Sequence, residues 1–253
     1  MNLREVAPRR EYLSVAPDAE ELGRRAAHTI AEIVRRRPDA VISLTTGRTM
    51  AGVYKRLGEL CRAGSLDLGA TRLISSEEYA GVGASDPISL FGWLRRDLLD
   101  PCGVPAAVVP RLAGDAPDAM AECRRFDAVI DGLGGIDLVV QSIGPNGHFG
   151  FNEPGSARDA PSRVVDLAIS TQQSNARYWH DGARVPQRGL TMGVRATLQA
   201  RHVLLLASGA HKAEALARAV EGPIAEDAPC SLLRLATRLT VLADAGAMER
   251  LRR

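Results

Sequence analysis

Apolar positions in this chain fall into short continuous runs that alternate with stripes at helical spacing. Behind Pro17 and Asp18, residues Leu22, Ala26, Ile30 and Ile33 recur with the helical period as far as Arg37, which predicts a capped amphipathic helix. The run 40–44 then ends in the polar turn Thr45-Thr46-Gly47-Arg48-Thr49, after which Val53, Leu57 and Leu60 resume that period. The sequence there reads strand, turn, helix. The same alternation predicts strands over 72–75, 106–110, 136–142, 202–207 and 239–243, and helices over 85–99, 115–133 and 210–221. Residues 162–194 read irregularly. Strands apolar along their length and separated by helices predict an α/β fold, a mostly parallel sheet covered on both faces. With 253 residues and neither an internal repeat nor a low-complexity tract, a single domain over 1–253 is expected.

In an open sheet of this kind ligands sit beyond the carboxyl ends of the strands, so the loops after Leu44, Ser75, Ser142 and Ala207 are expected to converge. The first loop sets hydroxyls, backbone N–H groups and a glycine at a helix N-terminus. That suits a phosphate, although a hydroxyl-capped helix start needs no ligand. The second carries Glu77 and Glu78, adjacent carboxylates that serve either as a base or as a solvated turn. The third is the most specific, Gly144-Pro-Asn146-Gly-His148-Phe-Gly150-Phe-Asn-Glu153-Pro154. Its glycines admit a close ligand, histidine is the residue type that titrates near neutrality, and a glutamate follows that can orient it. The fourth, Ser208-Gly-Ala-His-Lys212, opens a helix with one of the two lysines, Lys55 and Lys212, found among 32 Lys and Arg residues.

Composition narrows the classes. Hydrophobic residues at 45% and charged residues at 25% are an ordinary globular balance, and a net charge of +2 does not suggest a nucleic-acid partner. Cys61, Cys102, Cys123 and Cys230 form no CxxC pair, so neither a zinc site nor a redox motif is indicated. No apolar run approaches the roughly 18 residues of a membrane span, and Met-Asn-Leu-Arg-Glu at the start lacks an apolar signal region. A soluble cytoplasmic protein without a membrane partner is the expectation.

In order and spacing, Thr45-Thr-Gly-Arg-Thr49, Glu77-Glu-Tyr-Ala-Gly81, Gly134-Gly-Ile-Asp-Leu138, the Gly144 to Pro154 loop, Ser174-Asn-Ala-Arg177, Leu190-Thr-Met-Gly-Val194 and Ser208-Gly-Ala-His-Lys212 resemble the glucosamine-6-phosphate deaminase family. That family includes the related 6-phosphogluconolactonases, and Gly-His-x-x-Phe-Asn-Glu-Pro looks like its deaminase branch. The resemblance covers 38–245. It implies a Rossmann-like parallel sheet with a small lid over 163–188, no cofactor and no metal. The implied partner is a small amino-sugar phosphate, with a homo-oligomer allowed. Carried over by position, Thr45, Thr46, Gly47 and Thr49 bind the sugar phosphate with Arg177 and Lys212 as charged clamps. His148 transfers the proton that opens the sugar ring, Glu153 holds its imidazole in the correct tautomer, and Glu77 abstracts the C2 proton.

Several positions depart from the family pattern. The family's base is aspartate, and Glu77 reaches one methylene, roughly 1.5 Å, further. Asn146 replaces an aspartate, removing a negative charge that favours a departing ammonium. The phosphate loop usually reads Pro-Thr-Gly-Gly-Thr-Pro, whereas Arg48 and Met50 stand here, and Arg48 either adds a guanidinium to the phosphate or occludes part of the pocket. Val165 takes the place of a lysine that binds an allosteric activator in some members, an argument against that regulation. These changes predict an altered enzyme. Once the C2 proton is removed, the intermediate either regains a proton at C1 or eliminates the C3 hydroxyl. The expected outcome is the second, dehydration of N-acetylglucosamine 6-phosphate, because a neutral acetamide suits a neutral Asn146. Deamination of glucosamine 6-phosphate to fructose 6-phosphate and ammonia is the conservative alternative. A catalytically silent sugar-phosphate sensor is the alternative of another class.

Overall fold

The computed structural model describes residues 12–179 and 184–252. After β1 (Leu13–Ala16), Asp18 accepts a hydrogen bond from the Glu21 N–H at 2.8 Å and so starts α1 (Ala19–Arg36), whose stripe Leu22, Ala26, Ile30 and Val34 is buried. Then come β2 (Val41–Leu44), α2 (Arg48–Arg62) and β3 (Arg72–Ser75), followed by β4 (Glu77–Tyr79), α3 (Leu90–Leu94) and α4 (Ala119–Gly132). The second half holds β5 (Leu138–Ser142), β6 (Arg163–Asp166), α5 (Ile169–Ala176), β7 (Arg188–Thr191), α6 (Val194–Gln199), β8 (His202–Ala207), α7 (Ala213–Glu221), α8 (Pro229–Leu232) and β9 (Leu239–Asp244).

Six strands form one sheet in the order β1-β9-β8-β5-β2-β3, and every neighbouring pair is parallel. Successive residues of each strand enter opposite cores, which is why the strands read as continuous apolar runs. Ile42, Leu44, Leu138, Val140 and Leu204 pack with Leu22 and Ile30 of α1 and Val53 and Leu57 of α2. On the other face Val41, Val139, Val203 and Leu205 pack with Phe126 of α4 and Leu216 of α7. The expected α/β fold with helices on both faces is therefore the observed one. From β2 the chain runs outward to β3, and the next strand of the sheet, β5, joins the other edge of β2. This reversal opens a crevice at the carboxyl ends of β2 and β5, where open α/β sheets bind ligands.

Three segments differ from the pattern reading. Residues 106–108 form a 3-10 turn between Pro105 and Pro110 rather than a strand, and only the Pro110 carbonyl reaches the sheet, accepting from the Ser75 N–H at 3.0 Å. Helix over 85–99 shrinks to α3 plus a π turn at 95–99, because Pro87 follows an Asp86 turn and Ser89 supplies the N-cap, accepting from the Gly92 N–H at 2.9 Å. Finally, the irregular segment 162–194 contains β6, α5 and β7. Strand β7 pairs antiparallel with both β4 and β6 in a second, three-stranded sheet. The expected lid over 163–188 is thus anchored by strands at its two ends. Its residues 180–183 lie outside the described ones. Among the described residues no helix is long and apolar enough to cross a membrane.

Candidate active site

All four predicted loops and α5 meet in one pocket, lined among others by Thr45, Glu77, Gly144, His148, Asn175, Tyr178 and Lys212. The His148 ring lies directly on Gly144, where an added Cβ would fall 2.2 Å from ring carbon Cε1. Glycine is required there for the imidazole to lie flat on the backbone.

The hydrogen bonds around His148 determine its tautomer. Asn146 Oδ1 accepts the His148 backbone N–H at 3.1 Å, and Asn146 Nδ2 donates to Glu153 Oε2 at 2.7 Å. A backbone N–H only donates and a carboxylate only accepts, so the amide has one possible orientation. Its Oδ1 stands 2.7 Å from His148 Nδ1, which must then carry the hydrogen. Nε2 is left as the ring nitrogen with a free lone pair. The Thr171 hydroxyl of α5 adds a second contact to Nδ1 at 3.1 Å, whereas the nearest Glu153 oxygen is 3.6 Å away. Asn146 therefore relays between His148 and Glu153. Burial alone would raise the Glu153 carboxyl, but its attraction to His148 and the bonds from Thr171 and Asn146 hold it below the usual carboxylate range.

Glu77 is 3% exposed. Thr45 donates its hydroxyl to Glu77 Oε1, the Thr46 N–H donates to the same oxygen at 3.0 Å, and the Ser76 hydroxyl donates to Oε2. Burial pushes this carboxyl above its ordinary range despite those donors. Two members of the expected phosphate loop, Thr45 and Thr46, are thus committed to the carboxylate. Glu78 points the other way and accepts from Ser89 Oγ at 2.6 Å and from the Leu90 and Phe91 N–H groups, which fixes the start of α3. Of the two adjacent acids, only Glu77 lines the pocket.

Positive charge collects at the opposite corner. Lys212 is 8% exposed and donates from Nζ to Thr49 Oγ1 at 2.9 Å, beside the first turn of α2 that Gly47 precedes without a side-chain cap. Its loop is held by Asp244, which accepts from the Ser208 hydroxyl at 2.5 Å and the Gly209 N–H at 2.9 Å. Burial first, then the charges of Lys212, Arg177 and Arg48, depress the neighbouring His211, so all three cations lie within electrostatic reach of one point. Arg48 itself donates from Nη2 to the Arg177 carbonyl at 2.7 Å, and its guanidinium lies 5.8 Å from the centroid of the Tyr178 ring. Rather than entering the pocket, it ties the start of α2 to the end of α5. Among the described residues no cluster of His, Cys, Asp and Glu is placed to hold a metal ion.

A family model described as glucosamine-6-phosphate isomerases/6-phosphogluconolactonase matches residues 17–242. The chain belongs to this family. The glucosamine-6-phosphate deaminase of Geobacillus sp. strain WCH70 is 40% identical over 234 residues, 92% of this chain and 93% of that one. Its counterpart in Streptomyces coelicolor is 38% identical over 239 residues, 94% and 92% of the two chains. Among solved structures, a monomeric glucosamine-6-phosphate deaminase gives a TM-score of 0.91 at 37% identity, covering 94% of this chain and 99% of its own. The 6-phosphogluconolactonase of Thermotoga maritima shares the family's fold, with a TM-score of 0.71 at 18% identity over 92% of this chain and 98% of its own. Against the family pattern, Glu77, His148, Thr45, Thr46 and Lys212 line one pocket, while Asn146 and Glu153 stand behind His148. No spacing in the sequence points to Thr171, Tyr178, Ser76 or Asp244 as site residues. Only Asn175 had a signal, its place in the Ser174-Asn-Ala-Arg177 motif.

Burial lowers the Lys212 ammonium to about 8, so this cation is lost just above neutrality unless an anion holds it. Lys212→Ala is expected to raise KM for a 6-phosphate sugar by about tenfold or more, since a hydrogen bond to a charged group contributes roughly 1.5–3 kcal/mol. The wild-type KM is expected to rise above about pH 8 and that of the variant to lose this dependence. Initial rates between pH 6.5 and 9.5, a range chosen to bracket roughly one unit or more on either side, measure both.

Proposed function

We propose that the protein is a glucosamine-6-phosphate deaminase, converting glucosamine 6-phosphate and water into fructose 6-phosphate and ammonia. The observation that carries this reading is the meeting of Glu77, His148 and Lys212 on one pocket, the arrangement needed to anchor a phosphate and move protons at the far end of a short sugar. The sugar C2 hydrogen is acidic only when C1 is a carbonyl, so the ring opens first. His148 Nε2 accepts the C1 hydroxyl proton and returns it to the ring oxygen. Glu77 then takes the C2 proton while the substrate's ammonium group gives a proton to the C1 oxygen, and the enol-amine so formed regains the Glu77 proton at C1. The resulting iminium at C2 adds water, and the nitrogen leaves as ammonia as the C2 carbonyl forms.

The expectation of dehydration rested on Asn146 facing the substrate nitrogen. In the structure both ends of that amide are engaged, Oδ1 with His148 and Nδ2 with Glu153, and it does not line the pocket. Its neutrality is no argument for a neutral acetamide, and relatives named glucosamine-6-phosphate deaminase support the conservative alternative. The assembled proton-transfer groups favour an enzyme over a silent sensor.

Purified protein incubated with glucosamine 6-phosphate is expected to release ammonia and fructose 6-phosphate in equal amounts. With N-acetylglucosamine 6-phosphate it is expected to give no ultraviolet-absorbing unsaturated sugar. The reverse result on the two substrates overturns the reading.

A further inference from the structure

We infer that Gly150 is the positioning residue that makes room for a glutamate at position 77, so that the two residues form a size-matched pair. This rests on reading Glu77 as the C2 base. Gly150 has φ +53° and sits two residues past His148. A Cβ built there falls 3.2 Å from Glu77 Oε2 and 3.1 Å from Thr191 Oγ1, tighter than ordinary contact on both sides.

Neither neighbour is free to retreat. Strand pairing sets Glu77 opposite Thr191, and the Glu77 carboxylate is gripped on both oxygens by Thr45, Thr46 and Ser76. Thr191 Oγ1 accepts the Phe151 N–H at 3.1 Å and donates to the Met192 carbonyl at 3.3 Å. Gln141, 1% exposed, closes the cage. Its Oε1 accepts the Gly150 N–H at 3.0 Å, and its Nε2 lies 3.4 Å from Ser76 Oγ, the hydroxyl that reaches Glu77. Through this bridge the spacing between Gly150 and the carboxylate is fixed rather than adjustable. An aspartate at 77 would draw its oxygens back by one methylene, roughly 1.5 Å, and so relieve the contact at Glu77 Oε2, while the contact at Thr191 Oγ1 stays the same in both backgrounds. The missing Cβ at 150 thus offsets the extra methylene at 77.

A double-mutant cycle tests this, because the left-handed backbone cost of alanine at 150 is common to both backgrounds and cancels. In the wild-type background Gly150→Ala is expected to lower kcat by about tenfold or more, and in the Glu77→Asp background by about threefold or less. KM for the sugar phosphate is expected to stay within about twofold throughout, since the phosphate corner is not involved. The thermal midpoint should show the same non-additivity without any reference to substrate. Equal costs in both backgrounds, in kcat and in midpoint, overturn the pairing. Coupling in midpoint with kcat unaffected leaves the pairing standing and overturns Glu77 as the base. If Gly150→Ala does not fold, a double variant that folds supports the pairing, and one that also fails overturns it.

Discussion

Glu77→Gln is expected to abolish exchange of the substrate C2 hydrogen with solvent deuterium and to lower kcat by about 10²–10⁴-fold, with KM little changed. Exchange is the decisive readout because C2-proton removal precedes every exit of the intermediate, and Glu77 is the acid that lines the pocket. The substitution fits its surroundings. Thr45 and the Thr46 N–H can still donate to the amide oxygen, and the amide NH₂ can face Ser76 Oγ, whose proton has a second acceptor in the Leu44 carbonyl at 3.1 Å. Stability should not fall either. A carboxyl raised by burial stabilises the fold while it is protonated, and that contribution is lost as pH rises through the raised value. Above that value the ionised carboxylate is a cost that glutamine removes, so there the variant's thermal midpoint is expected to equal or exceed that of the wild type. In the wild type, kcat is expected to fall as pH drops through the raised value, the limb on which the base gains its proton. Deuterium exchange at the wild-type rate in Glu77→Gln would place the base elsewhere.

Much of this architecture was legible because continuous apolar runs and helical stripes reflect burial on two faces. Ile42 and Val41, adjacent in β2, enter different cores, and no other common arrangement asks for that. The second sheet was not legible. Its strands Arg163–Asp166 and Arg188–Thr191 are short and polar at their ends, and the pairing of the second with Glu77–Tyr79 is non-local. Among the site residues, the Gly144 to Pro154 loop could be read as a unit since its glycines and histidine are close in sequence. Spacing could not tell which way the Asn146 amide points, and that orientation reverses the inference drawn from its neutrality. Nor could spacing choose between the two readings of Arg48, a further guanidinium for the phosphate or an obstruction of the pocket; its guanidinium meets the Arg177 carbonyl and the Tyr178 ring. Gln141 looks like any residue of a buried strand, and its role appears only when Gly150 and Ser76 are seen at its two ends.

His148→Ala is expected to lower kcat by about 10²–10⁴-fold while leaving KM for the sugar phosphate nearly unchanged, because the ring acts on the C1 end and Lys212 holds the other. Open-chain substrate analogues should lose much less, since they need no ring opening, and an equal loss on them would take His148 out of that step. The relay behind the ring gives a graded series. Asn146→Leu removes both the acceptor for Nδ1–H and the donor to Glu153, leaving Nδ1 with the Thr171 hydroxyl at 3.1 Å, which can donate as well as accept and so does not fix the tautomer, and a carboxylate 3.6 Å away. Its effect is expected to be the larger of the relay changes, about tenfold to a hundredfold in kcat, within the range for losing a group that orients a general base. Asn146→Asp keeps an acceptor at Nδ1 but sets two carboxylates where a 2.7 Å hydrogen bond now lies, so it should fall between Asn146→Leu and the wild type. Glu153→Gln keeps the Asn146 Oδ1 contact and is expected to be the mildest. Nitrogen-15 spectra of the ring test the cause directly. The wild-type protein should show hydrogen on Nδ1, and Asn146→Leu should show a mixture of tautomers. A wild-type ring protonated on Nε2 alone would remove its free lone pair, and with it the route by which His148 opens the sugar.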